Sequence, residues 1–197
     1  MKVTQVKCPQ CGLPVYMKQK DEFFLCSSCG TIHTRDLHGV QRVPYEVAEF
    51  RPGTPNDNRY YIPFWRLQCD FQIRSRNVAG GYFHKLASAI KGGDSGGQLA
   101  IFLPASDLDT TAFRYWSVNL TVNNPRYTTA SGFADVPRMP ATTDRDEAIE
   151  LADFVAVTLE AEKPGTLQHL DYSLQVREAR VVYLPFVSGP SGLHLAL

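Results

Sequence analysis

Apolar and polar residues alternate with period two along much of this chain and change to a helical period in one long stretch. The alternation is cleanest from Arg59-Tyr60-Tyr61-Ile62-Pro63-Phe64-Trp65 onward. Leu67, Cys69, Phe71 and Ile73 then share one face, and Arg66, Gln68, Asp70, Gln72, Arg74 and Arg76 share the other. Successive side chains of a strand point to opposite sides, so the pattern predicts a half-buried antiparallel strand. Residues 98–103 predict an apolar strand closed by Pro104, and residues 172–187 a long one. Residues 114–122 also alternate, with Trp116, Val118, Leu120 and Val122 on the inner side, and predict a further strand. The helical period is clearest over residues 144–160, where Ile149, Ala152, Val155, Ala156 and Leu159 fall near one face and Leu151 and Phe154 widen it. Thr142 or Thr143 is the expected N-cap, the acids Asp144, Asp146 and Glu147 suit the first turn, and Lys163-Pro164-Gly165 stops the helix. A shorter helix is expected over residues 82–91, and residues 123–140 read as loop.

The first thirty residues follow a different logic. Cys8-Pro9-Gln10-Cys11-Gly12 is answered by Cys26-Ser27-Ser28-Cys29-Gly30. Two residues between paired cysteines let a tight turn aim both sulfurs at one point. The glycine after each second cysteine can take positive φ, which turns backbone N–H groups toward the sulfurs. Between the knuckles, residues 13–17 and 22–25 predict a hairpin with residues 18–21 at its tip, and residues 31–43 continue the alternation. Four soft thiolates at this spacing point to structural Zn²⁺ bound by Cys8, Cys11, Cys26 and Cys29. A single iron in a rubredoxin-like site uses the same sulfurs and is the minor alternative; two disulfides would use them otherwise. All four positions are filled, so no coordination site is left for catalysis. His33 and His38 are surplus to the ligand set.

The chain has 197 residues, enough for a ribbon and one domain of ordinary size. Lys and Arg number 20 against 20 Asp and Glu, which weakens a case for a broadly basic nucleic-acid surface. The balance hides a gradient: residues 1–104 carry 13 basic and 8 acidic side chains, and residues 105–197 carry 7 and 12. The start, Met1-Lys2-Val3-Thr4-Gln5-Val6-Lys7, has no apolar signal region, and a cytoplasmic, reducing location is the expectation. Cys69 sits in a strand pattern and reads as a buried thiol.

Other signals are weak. Gly93-Asp94-Ser95-Gly96-Gly97 matches the surroundings of a trypsin-like nucleophile, but no histidine and aspartate are placed for a triad, and a glycine-rich loop accounts for the residues. Three segments echo one another: Tyr61-Ile62-Pro63-Phe64, Phe102-Leu103-Pro104-Ala105 and Tyr183-Leu184-Pro185-Phe186. Proline cannot donate to a ladder, so each is expected where a strand enters or leaves a sheet edge. If they gather in space, their rings form an aromatic cluster.

The knuckles resemble zinc ribbons. Together with Tyr61-Ile62-Pro63-Phe64-Trp65-Arg66 and Val182-Tyr183-Leu184-Pro185-Phe186, they make the chain similar to bacterial proteins of unassigned activity that join a ribbon to a β-rich domain. The resemblance implies the four cysteines as ligands and nothing more. The expected fold is α+β: a zinc ribbon at 1–40, a linker or extra strand at 41–58, and a mainly antiparallel β domain with one long helix at 59–197. The expected function is a non-enzymatic, metal-binding adaptor or assembly subunit that docks a protein partner. Arg66, Arg74, Arg76, Tyr61 and Trp65 are the candidate contact residues, and a homo-oligomer is one form the partner could take. Nucleic-acid binding through the ribbon is the alternative. No carboxylate pair or Cys–His pair marks an enzyme. A modular chain would lose its ribbon on metal removal and keep the part from about Arg59 onward folded.

Overall fold

The computed structural model describes residues 7–15, 21–36, 39–79, 96–161, 166–190 and 192–197. Ten elements follow in order: strands β1 (Phe24–Leu25), β2 (Ile32–Asp36), β3 (Gly39–Arg42), β4 (Tyr45–Val47), β5 (Arg59–Ala79) and β6 (Gly96–Pro104), helices α1 (Thr110–Asn123) and α2 (Arg145–Ala161), and strands β7 (Thr166–Gly189) and β8 (Gly192–Leu195). The α+β class and the mainly antiparallel sheet are as the pattern predicts, with two described helices in place of one. The predicted helix at 82–91 lies outside the described residues.

The strands β1, β2 and β3 form a small antiparallel sheet. The predicted hairpin differs from it. Of residues 13–17, the described part makes only a bridge from Pro14 to Lys7, and β1 pairs forward with β2, Phe24 opposite His33. The main sheet has the order β4-β7-β5-β6, with β8 also on β7. Its spine is the long antiparallel pair β5 and β7. β4 runs parallel to β7.

Alternation along the spine divides the core in two. Tyr61, Trp65, Leu67, Cys69 and Phe71 of β5 face one cluster, while Ile62 and Phe64 face the other. The first cluster is covered by α2, through Ala148, Ala152, Val155, Ala156 and Leu159, and by Phe23, Ile32 and Val43 from the ribbon side. The second is covered by α1, through Trp116 and Leu120. From Arg66 on, the second face of β5 opens toward solvent, with Gln72 exposed.

Residues 110–123 are helical, where alternation predicted a strand. Helix α1 buries Trp116, Ser117, Leu120 and Thr121, a helical stripe in which two members are polar. Ser117 bonds back to the Phe113 carbonyl at 2.8 Å, and Thr121 Oγ1 accepts the Phe102 N–H at 3.0 Å. Asp109 caps the helix by accepting the Ala112 N–H at 2.9 Å. In α2 the cap is Asp144, which accepts the Glu147 N–H at 2.9 Å, and not a threonine. Thr143 instead uses its carbonyl to receive Trp65 Nε1 at 2.9 Å. Phe154 points outward, 53% exposed.

The three proline segments do lie side by side, but Pro63 and Pro185 occupy the spine and not an edge. Pro63 stands opposite Tyr183, Tyr61 opposite Pro185, and Phe64 opposite Pro104. On the β6 side of Pro63, Ala105 donates to its carbonyl at 2.8 Å, and Met139 donates to Tyr61 at 2.9 Å. On the far side of Pro185, Ala48 donates to Tyr183 at 3.0 Å and Ala196 to Pro185 at 2.9 Å. Each proline therefore sits at a seam where one flanking segment ends and the next begins, which is where a missing N–H costs least.

Candidate metal centre

The two knuckles repeat the same backbone turn. Cys8 N–H donates to the Leu13 carbonyl at 2.8 Å and Cys26 N–H to the Thr31 carbonyl at 2.9 Å. Gly12 N–H returns to the Cys8 carbonyl at 2.7 Å and Gly30 N–H to the Cys26 carbonyl at 2.8 Å. Both returns need the left-handed backbone that glycine supplies, with φ of 74° at Gly12 and 69° at Gly30. The sequence folds this way because the glycines allow the turn and the cysteines gain a common focus from it.

The sulfurs of Cys8, Cys11, Cys26 and Cys29 all lie within 4.8 Å of one another. Cys8 to Cys29 and Cys11 to Cys26 are each 3.6 Å, well beyond a disulfide bond of about 2.05 Å. A tetrahedron with metal–sulfur bonds of about 2.3 Å has edges of about 3.8 Å, so the spacing suits one tetrathiolate-bound ion. In each knuckle the first cysteine is buried and the second is exposed. Cys8 and Cys26 share a small apolar cluster with Val15 and Phe24.

The protein environment favours thiolate at two of the four sulfurs. The Thr31 hydroxyl and amide hold the Cys29 thiol down to about 6. The amides of Cys29 and Ser28 lower Cys26. His33 belongs to the surroundings and not to the ligand group. It is 1% exposed, its Nε2 is 3.1 Å from Cys8 Sγ, and its Nδ1 meets no partner among the described residues. Burial, helped by the Arg42 charge, holds its pKa below the usual value. His38 lies outside the described residues.

Asp21 fastens the ribbon to the rest of the chain. Its Oδ1 accepts the Ala141 N–H at 3.0 Å and the Phe23 N–H at 3.1 Å, and its carboxylate lies 3.9 Å from Arg138. Glu22 N–H donates to the Ala141 carbonyl at 2.7 Å, and Phe23 meets Trp65 edge to face at 5.5 Å. No spacing in the sequence marks this joint.

The candidate contact residues do not form one patch. Tyr61 and Trp65 are core residues, 3% and 2% exposed. Arg66 is half-buried, its guanidinium 5.9 Å from the Phe102 ring centre and its Nε without an acceptor. Arg74 is the extra residue of a bulge, since Ile73 pairs with Tyr172 and Ser75 with Asp171. It is exposed and lies 3.8 Å from Asp171. The bulge takes the backbone of Arg76 out of phase with Arg66; its side chain lies outside the described residues. Cys69 is a buried thiol, pushed up to about 12 by burial and by Asp70 and Asp153. The predicted glycine-rich loop lies outside the described residues up to Ser95, and Gly96 and Gly97 belong to β6. A Cβ at Gly96 would come within 2.6 Å of the Phe71 carbonyl oxygen.

A polar cluster went unread in the sequence. Arg180 forms ion pairs with Glu46 and Glu178, and Tyr127 donates to Glu46 at 2.7 Å. Its members come from β4, β7 and a loop, which only the fold brings together. Among the described residues, no helix is long and apolar enough to cross a membrane. No family model matches the chain, and neither a curated protein nor a solved structure matches it.

Proposed function

We propose that this protein is a non-enzymatic metal-binding adaptor of the cytoplasm. Cys8, Cys11, Cys26 and Cys29 hold one structural Zn²⁺, and the edge of the ribbon that carries Cys11, Leu13 and Cys29 meets a protein partner. The observation that carries the metal reading is the mutual approach of four thiols within 4.8 Å. Four thiolates complete a tetrahedral shell, so the ion supplies folding energy and a rigid surface, not an open reaction site.

The docking reading is supported by exposure. Leu13, beside the first knuckle, is 48% exposed. Several outward arginines are neutralised within the chain: Arg74 by Asp171, Arg177 by Asp70, and Arg180 by Glu178 and Glu46. Paired arginines have little left for a run of phosphates, which favours a protein partner over a nucleic acid.

Elemental analysis of the purified protein should find about one zinc per chain. A red, iron-loaded protein would replace zinc with iron at the same four sulfurs. A photo-crosslinker placed at Leu13 in living cells should capture one partner, and capture should fail when Cys11→Ser is added. No metal in the folded protein would sink the first half of the proposal, and a silent position 13 the second.

A further inference from the structure

The knuckles repeat in backbone and differ in what surrounds their sulfurs. Cys11 and Cys29 face solvent. Cys8 is 1% exposed and, among the described residues, is the one cysteine of the four with a histidine nitrogen against it, at 3.1 Å. His33 reaches it because alternation along the small sheet sends neighbouring residues to opposite sides. Phe23 and Ile32 enter the main core, while Phe24 and its cross-strand partner His33 turn toward the cysteines.

A buried imidazole with one nitrogen on a sulfur and the other on nothing has a preferred proton position. Once Cys8 is a thiolate ligand, its sulfur offers only lone pairs. A proton on Nδ1 would set two lone pairs against each other at 3.1 Å and leave a buried N–H unpaired. A proton on Nε2 makes a charge-assisted hydrogen bond instead. Resting on the four-cysteine ligand set, the geometry points to His33 as a positioning residue of the metal centre: its Nε2–H donates to Cys8 Sγ, anchors that ligand, and leaves the exposed Cys11–Cys29 edge as the place where ligand exchange and thiol attack begin.

The hydrogen bond draws charge from the Cys8 sulfur, which makes it a poorer nucleophile, and holds the side chain in the position from which it would bind the metal. Burial adds to this by keeping electrophiles away. Cys29 lacks the burial: its sulfur is exposed, although the buried Thr31 hydroxyl lies 3.3 Å from it. The centre is therefore lopsided, with a fixed inner half and an accessible outer half.

Four measurements on the full chain test this, with Cd²⁺ as the probe metal. Uptake of one Cd²⁺ comes first; its absence overturns the ligand set, and this inference with it. In the loaded protein, nitrogen-15 correlation spectra should show His33 protonated at Nε2, and protonation at Nδ1 overturns the inference while leaving the ligand set standing. Limiting N-ethylmaleimide followed by peptide mapping should label Cys11 and Cys29 before Cys8, and early labelling of Cys8 overturns it. His33→Leu should lower metal affinity by about 10–100-fold in chelator competition and advance the labelling of Cys8. His33→Gln, which keeps a donor, should recover most of both. Equal loss in the two variants would reduce His33 to a packing residue. If His33→Leu does not fold, the tautomer and the labelling order of the unsubstituted protein still decide.

Discussion

Phe23→Ala tests whether the ribbon and the main sheet share one core. Phe23 is 1% exposed and belongs to the same buried cluster as Trp65, Leu67 and Tyr183, with its ring edge on Trp65 at 5.5 Å. Truncating a buried phenylalanine costs about 3–5 kcal/mol, because the transfer energy is lost and the cavity does not fully collapse. The edge-to-face contact is part of that loss. With a urea dependence of about 2 kcal/mol per molar, the midpoint should fall by about 2 M. The assay is helical circular dichroism of the metal-loaded protein through a urea titration. Both described helices pack on the main sheet, so their signal reports the main core. An unchanged helical midpoint with weakened metal binding would refute the shared core and restore an independent ribbon.

Chelating the metal should act in the same direction, lowering the helical midpoint as well as exposing Cys8, since Phe23 and Ile32 lie between the knuckles and the sheet; an unshifted midpoint in chelator would count against it. Acid should weaken the fold through Glu46. Burial alone would raise its pKa, but the Tyr127 hydroxyl and Arg180 outweigh burial and lower it, so its stabilisation is present above the unfolded value and lost as pH falls below about 4.5. Glu46→Gln should flatten that part of a stability-against-pH curve. Thr121→Val should cost about 1–3 kcal/mol in urea unfolding, because it keeps the shape but leaves the Phe102 N–H buried without its acceptor at 3.0 Å.

What could be read in advance depended on how local the cause was. The knuckles are local: cysteine spacing and two glycines define the turns, and their sulfurs converge as the spacing predicts. Helix α2 is nearly local, because its apolar stripe has the 3.6 period, and only the outward Phe154 and the Asp144 cap depart from the expectation. Helix α1 misled because its buried stripe contains Ser117 and Thr121, whose hydroxyls find carbonyl and amide partners that no hydropathy pattern reveals. Trp116, Val118, Leu120 and Val122 then alternate without a strand to cause it. The spine prolines were misplaced for a different reason. Whether a missing N–H matters depends on where the neighbouring strands end, and that is a property of the assembled sheet.

The same separation ties the four-cysteine cluster to the main core. Phe23 and Phe24 are adjacent, yet one fills the main core and the other lines the cysteines. Ile32 and His33 divide in the same way. A short sheet thus has one face turned to the four cysteines and the other to the protein interior. If an ion fills the site, its loss should loosen the cysteine face, and the Phe23 and Ile32 face of the same strands should loosen with it. Asp21, bonded to the backbone of both Phe23 and Ala141, closes the joint from the side. The strands behind the exposed edge at Cys11, Leu13 and Cys29 are anchored through Phe23 and Ile32 in the largest apolar cluster among the described residues. A surface supported in this way loses little conformational entropy when a partner binds. On the proposed adaptor function, rigidity set by a bound metal and transmitted through Phe23 and Ile32 would be the physical link between the four cysteines and docking.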